Sequence, residues 1–434
     1  MQSVPEDQDL DYEYGTDLRP GTPRREVPIL DLNDLHSADP ETQAAALAEL
    51  DRGFRRFGVV YVKNSGLTSE DLEDFYRVFL AFTDLPREVK EKVSGSDVWF
   101  QRGWMPPSTE RSGGTAKHME AYFAATSDAD PRTQAMFPQI QAPNRWPDGW
   151  PRSDELREKQ LAISRALQRV AVMLLRGVAL RLGLPPFALE TLAYGGPHVT
   201  QSTRHLPIPA PSGEEQAVWC EEHTDYNMLS IIPGARFFQP GEIKEFCPPP
   251  LDGGILPPAG LYHRGRPSQR HPEGEMLRGK PPEGCISAQV GQSLEVLTGG
   301  RYLATPFMIK AITGYERCSV QHFCHVRLTE TLFPLPELAD DAAVRTYSPP
   351  VLAGTYSTMN LVDIGLAPST ALGLEGRSDN RAHSTKNAHA VPEKWSETPC
   401  PEIAEIEVQR RGTTGTVPQL RATAKASSAA AAAR

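Results

Sequence analysis

With 434 residues, 39% of them hydrophobic, the chain is long enough to bury a sizeable core, and one core with appendages is expected. Lys and Arg number 45 against 55 Asp and Glu, a formal net charge of −10 with no long basic block, which argues against a nucleic-acid partner. The longest apolar run, around residues 170–182, is broken by Arg176 and Arg181, so no membrane span is expected.

The acidic start, residues 1–9, lacks the basic and apolar regions of a signal peptide, and the expectation is a soluble, cytoplasmic protein. Six cysteines are scattered with no Cys-X-X-Cys pair, which reads as reduced thiols rather than a zinc site or a disulfide framework.

Residues 1–26 are polar, rich in Asp and Pro, and read as an extended lead-in. Residues 27–32 alternate around Pro28 and fit a short edge strand. Asp39 before Pro40 opens a helix in which Ala44, Leu47, Leu50 and Phe54 recur at helical spacing, and Gly58 ends it. Residues 59–62 are β-branched and aromatic, the pattern of a buried strand. Thr68-Ser69-Glu70-Asp71 opens a second helix with Leu72, Phe75, Phe79 and Phe82 as its inward stripe. Residues 95–151, rich in Gly, Pro, Ser and Trp, read as loop around a strand at 120–123, the kind of segment that covers a site.

Ser153-Asp154-Glu155 is expected to cap the longest helix, which runs to Leu182 and is stopped by Gly183 and Pro185-Pro186. A short helix follows at 187–193. Strands are then expected at 201–208, 217–221, 229–232, 260–264, 275–278, 285–290, 294–297, 302–311 and 317–326. Short strands with Gly and Pro turns, and helices gathered on the N-terminal side, predict an α+β, mainly β fold: a double-stranded β-helix, or jelly roll, flanked by N-terminal helices. From about residue 369 the composition turns to Ser, Thr, Ala, Arg and Gly, a low-complexity tail in which His383 and His389 are solvated. The expected organisation is 1–26 lead-in, 27–150 N-terminal region, 151–367 helix plus jelly-roll core, and 368–434 tail.

The chemistry centres on His223-Thr224-Asp225, which follows one short strand and leads into another. Residues two apart on a strand share a face, so the imidazole and the carboxylate can meet at one point. One further histidine would complete a facial triad, a donor set that suits ferrous iron and leaves coordination positions open. The tripeptide alone also occurs in solvated turns.

Downstream stand Gly299-Gly300-Arg301-Tyr302-Leu303-Ala304-Thr305-Pro306-Phe307 and Arg317-Cys318-Ser319; upstream stand Val27-Pro28-Ile29, residues 54–62 and Arg102-Gly103-Trp104-Met105-Pro106. With the His-X-Asp pair, these ordered stretches across residues 27–367 resemble the isopenicillin N synthase-like branch of the iron(II)- and 2-oxoglutarate-dependent oxygenases. The resemblance implies the jelly roll, with His223 and Asp225 as catalytic Fe(II) ligands at the barrel mouth. It implies Arg317 and Ser319 as the holders of the distal carboxylate of the co-substrate 2-oxoglutarate, and molecular oxygen as the oxidant. The expected reaction is oxidation, hydroxylation by default, of a small-molecule substrate.

Two departures matter. Phe307 stands where the family has its third metal ligand, and Ile208 where relatives commonly carry a tyrosine. A benzyl group cannot donate to iron, so a second reading is a catalytically silent jelly-roll relative that binds a small molecule or a protein. Strand parity bears on replacement: if Arg317 and Ser319 face the interior, so do Gln321, Phe323 and His325, while His322 faces away. His325 is eight residues beyond Arg317, roughly 26 Å along an extended strand, too far to share an iron with a co-substrate held there. His205 and His263 are the other outside candidates. The proline-rich stretch 237–284 is either a hairpin over the site or surface decoration.

Overall fold

In the computed structural model, which describes residues 27–372 except 113–114, 128, 209–216, 242–244, 248, 250–258, 267–273 and 275, the first helices start where their caps predict. After strand β1 (Ile29–Asp31), helix α1 (Pro40–Arg56) opens with Asp39 accepting a hydrogen bond from the Thr42 backbone N–H and with proline in its first turn. Gly58 turns the chain at φ +71°, and a Cβ there would lie 2.2 Å from Thr305 Oγ1. Strand β2 (Val59–Lys63) follows, and then α2 (Ser69–Thr83) behind a capping box between Thr68 and Asp71. Its stripe, Leu72, Phe75, Phe79 and Phe82, is buried.

Beyond the short α3 (Arg87–Glu91) come β3 (Gly103–Met105), a small hairpin of β4 (Arg111–Ser112) and β5 (Thr115–Ala116), and β6 (Met119–Ala125). Next are α4 (Pro131–Met136), the 29-residue α5 (Ser153–Arg181) and α6 (Ala188–Ala193). Helix α5 has the predicted apolar face, with Leu156, Ile163, Leu167, Val170, Leu174 and Val178 buried. The expected serine cap is corrected: Arg152 occupies the N-cap and no side chain caps the helix, because Ser153 is already inside its first turn.

The remaining strands are β7 (Val199–His205), β8 (Val218–His223), β9 (Leu229–Ile232), β10 (Arg236–Phe238), β11 (Gly260–Arg264), β12 (Met276–Arg278), β13 (Cys285–Val290), β14 (Phe307–Lys310) and β15 (Glu316–Cys324). Residues 294–297, expected as strand, instead lie in helix α7 (Gln292–Leu297), and the strand expected from 302 begins only at Phe307. A four-residue apolar run fits either state, and here tertiary contacts choose: Ser293 donates to the Tyr226 carbonyl, and the Ala304 N–H donates to Glu295.

Nine strands form one sheet in the order β1-β2-β13-β9-β15-β7-β6-β3, with β10 also paired to β15; four form the second, in the order β12-β11-β14-β8. Apart from the parallel edge pair β1/β2, the pairings in these two sheets are antiparallel. Helices gather around the larger sheet, with α5 packed against β9, β15, β6 and β7. This is the jelly roll flanked by N-terminal helices. The described part of 237–284 contributes β11 and β12 to the smaller sheet, so it is a wall of the barrel. After α8 (Asp341–Thr346) and α9 (Ala353–Asp363), a 3-10 turn at Ser369–Leu372 closes the described chain. The predicted lead-in and the rest of the predicted tail, with His383 and His389, lie outside the described residues. Among the described residues no helix is long and apolar enough to cross a membrane.

Candidate active site

His223 is the last residue of β8, and Asp225 sits in the turn after it. They meet through that turn rather than by strand alternation, with Nε2 of His223 3.9 Å from Oδ1 of Asp225. The imidazole Nδ1 is 2.8 Å from the Glu221 carbonyl, a contact suited to Nδ1–H donation that leaves Nε2 free. Asp225 Oδ2 accepts hydrogen bonds from Ser230 Oγ at 2.5 Å and Gln289 Nε2 at 3.2 Å. Both orientations are therefore set by a surrounding layer of partners.

Phe307 lies in register opposite His223, and the two rings are 4.4 Å apart centre to centre. The benzyl group thus packs on the imidazole and offers no donor atom there. Thr305, two residues earlier, donates to the Gly58 carbonyl at 2.6 Å, which pins this stretch to the N-terminal region. Among the described residues, no three His, Cys, Asp or Glu side chains are grouped so as to hold a metal ion.

A pocket between the two sheets is lined by His223, Asp225, Phe307 and Ile309 from the smaller sheet and its turn, and by Met119, Gln201, Thr203, His205, Gln321 and Phe323 from the larger. The parity argument holds: Gln321 and Phe323 face the pocket, while His322 contacts Thr200 Oγ1 at 2.8 Å and Gln168 Oε1, on helix α5, at 2.6 Å. His325 lies past the end of β15, against Tyr226. Arg317 and Ser319 share the inward face but do not line this pocket. His205, which does, stands 3.3 Å from Nη1 of Arg317. Of the outside histidines, His263 is in register with Phe307 and reaches Asp225 only through Gln289, whose Oε1 is 3.0 Å from His263 Nε2.

Arg317 stands apart from this pocket lining as a buried cation. It is 3% exposed, and Nη1 donates to Ser319 Oγ at 2.9 Å. Its Nε has no hydrogen-bond partner, and among the described residues no carboxylate pairs with it. Burial draws its pKa down to about 10, so at neutral pH the group is still a cation. A buried charge without a counter-ion is expensive, and an anionic ligand would complete it.

Sequence reasoning missed Cys220, Glu110 and Lys117. Two residues of β14, Phe307 and Ile309, oppose three steps of β8, His223 back to Cys220. That bulge turns residues of opposite parity to one side and brings Cys220 Sγ within 3.5 Å of His223 Nδ1. Burial alone would raise the Cys220 thiol, yet His223 and Lys117 hold it below its ordinary value; His223, which burial would lower, is lifted to about 9 by Cys220. Lys117 and Glu110 form a buried ion pair at the pocket edge. Counting strand parity on β7 would have found Gln201, Thr203 and His205, but no sequence signal announces a bulge.

The fold and the site define a jelly-roll protein with a His-X-Asp pair between its sheets and a buried arginine that has no carboxylate partner among the described residues. The family described as non-haem dioxygenase in morphine synthesis, N-terminal, matches residues 27–149. A homoarginine-6-hydroxylase of Oryza sativa subsp. japonica is 24% identical over 312 residues, 70% of this chain and 86% of the relative. A leucoanthocyanidin dioxygenase of Malus domestica is 21% identical, covering 76% of this chain and 81% of its own. Among solved structures, a putative 2OG-Fe(II) oxygenase family protein from Caulobacter crescentus matches with a TM-score of 0.61 at 20% identity, covering 78% of this chain and 99% of that one. The dioxygenase for auxin oxidation in rice matches at 0.55 and 20% identity, covering 80% and 99%. Over most of its length the chain is thus similar to proteins named as 2-oxoglutarate-dependent oxygenases and dioxygenases, and it shares their fold.

Proposed function

We propose that this chain oxidises a small molecule, by hydroxylation, with 2-oxoglutarate held on Arg317 and Ser319. The observation that carries the reading is the enclosed Arg317 guanidinium with a free Nε and, among the described residues, no carboxylate partner. A dicarboxylate supplies the missing anion through charge-assisted hydrogen bonds, and Ser319 Oγ adds a further polar contact. His205 must shift for the co-substrate to pass from the pocket to Arg317, since it touches both.

His223 and Asp225 are the residues that would hold Fe(II): one nitrogen and one carboxylate oxygen face each other, and each is fixed by a partner on its far side. The protein's donor set fits at two positions and fails at the third, Phe307. When bound, iron with 2-oxoglutarate and oxygen supplies the oxidising power for C–H hydroxylation. The residues of the chain orient the co-substrate, and Met119, Phe307, Ile309 and Phe323 give the pocket an apolar lining.

Phe307 also supports a second reading, a catalytically silent relative that uses the same pocket to bind a small molecule or a partner. Anaerobic Fe(II) titration with 2-oxoglutarate, followed by succinate release in air, separates the two on the parent and on Phe307→His. Succinate from the parent upholds the oxygenase. Succinate from the variant alone means that Phe307 silences the site, and none from either removes the metal-site argument. The variant is expected to gain more than about tenfold in Fe(II) affinity, since even outer partners of a metal ligand are worth roughly 10- to 100-fold.

A further inference from the structure

Five lysines and arginines are buried among the described residues: Lys90, Arg102, Lys117, Arg204 and Arg317. Three are matched to carboxylates, Lys90 to Glu120, Lys117 to Glu110, and Arg204 to Glu316 and Asp84. Arg317 is the co-substrate arginine of the proposed function. Arg102 remains. It is 1% exposed, Nη1 donates to the Gln101 carbonyl at 2.6 Å, Nε has no partner, and among the described residues no carboxylate faces it. Burial lowers its pKa only to about 10, so it stays a cation at neutral pH.

The backbone is bent to put it there. Trp99 and Phe100 both adopt left-handed φ, 52° and 55°, and Gly103 follows at 78°. Arg102 is within electrostatic reach of His325, which is pushed down to about 3, first by burial, then by His198 and Arg102. The His325 ring stands 5.1 Å from that of Tyr226, the residue after Asp225, and 6.4 Å from that of Phe323, which lines the pocket. Arg317 stands at the start of the pocket-facing strand β15, whereas the residues flanking Arg102, Phe100 and Met105, pack with Phe323 near its end. Around that end, Phe323, Met105, Trp99 and Phe100 pack into one apolar cluster.

We propose that Arg102 anchors a carboxylate on the organic substrate, so that the molecule oxidised is a small acid with an apolar body. This rests on the oxygenase reading for the reaction, though not for the binding. One guanidinium matches a single planar carboxylate, with its Nε and an Nη as the fork. The body of the acid lies along Met119 and Phe323, which belong both to that apolar cluster and to the pocket lining.

Calorimetric titration of the full chain, saturated with 2-oxoglutarate, uses two acid and amide pairs as probes: phenylacetate against phenylacetamide, and hexanoate against hexanamide. At least one acid is expected to bind about tenfold or more tightly than its amide, the usual weight of a hydrogen bond to a charged group. Arg102→Gln abolishes that contrast while leaving 2-oxoglutarate affinity unchanged. Arg317→Gln, titrated without co-substrate, keeps the contrast, which isolates the Arg102 claim from the co-substrate claim. Equal binding of acids and amides by the parent overturns the proposal, as does a contrast that survives in Arg102→Gln. Circular dichroism checks folding, and Arg102→Met, neutral and of similar length, replaces the glutamine variant if that one does not fold.

Discussion

Arg317 gives the residue scale its sharpest test, because an unpaired buried cation weighs against the folded state until its ligand arrives. Arg317→Met removes the charge and keeps most of the volume. The ligand-free variant is expected to be as stable as the parent or more stable by about 1–3 kcal/mol in urea unfolding, and to lose the 2-oxoglutarate-induced rise in Tm. A variant that unfolds several kcal/mol more easily would make the guanidinium a structural strut. At the same scale, Cys220 competes with a metal for His223: against burial, which lowers it, the neighbouring Cys220 thiolate raises the imidazole to about 9, and a ligand imidazole must be neutral. Cys220→Ala should therefore bring the onset of Fe(II) binding to lower pH in an anaerobic titration, with no change in the Arg317-dependent binding of 2-oxoglutarate.

Helix α2 and strand β15 are joined by one hydroxyl. Tyr76 donates to the Gly234 carbonyl at 3.0 Å and accepts from the Val320 N–H at 3.2 Å, between Ser319 and Gln321 on the strand that carries Arg317. Tyr76→Phe leaves the buried Val320 N–H without its partner, at about 1–3 kcal/mol, and frees the half-buried Gly234 carbonyl. The expected result is a lower urea midpoint and a weaker affinity for 2-oxoglutarate, with little effect on the acid-and-amide contrast at Arg102. Equal losses at both ends of the strand would show that the bond serves global stability alone. The β8 bulge belongs to this scale too. It decides that a thiol rather than a backbone edge stands beside His223, and a regular register would have turned Cys220 away.

At the level of the whole molecule, five histidines among the described residues, His198, His205, His263, His322 and His325, are buried and held below their ordinary pKa, unlike His223. His198 and His263 are drawn down to about 4 and His325 to about 3, in each case chiefly by burial. Unfolded histidines titrate near 6.5, so between that pH and about 4 the unfolded chain binds protons that the folded chain refuses. Stability is present in full above about 6.5 and falls as the pH drops, by roughly 1.4 kcal/mol per pH unit for each such group. Tm measured from about pH 7.5 to about 4.5 should decline steeply below 6.5, and His198→Gln should flatten the decline. A profile unchanged in the variant would mean that His198 is not among the groups responsible.

Local order was legible in the sequence wherever one short stretch decides it: the Asp39-Pro40 start, the helix opening at Thr68–Asp71, the apolar face of α5, and the strands 229–232 and 285–290, which fold with the predicted bounds. The inward parity of Gln321 and Phe323 was legible too, since alternation is a local property of an extended backbone. Helix α7 was not, because a four-residue apolar run takes its state from what packs on it. The pairing of Phe307 with His223 requires the whole stretch 224–306 to fold back, and the bulge that presents Cys220 arises between two strands and is encoded in neither. The absence of a carboxylate beside Arg102 and Arg317, among the described residues, is likewise a fact about every residue that could have come near and did not, and only the folded chain decides that.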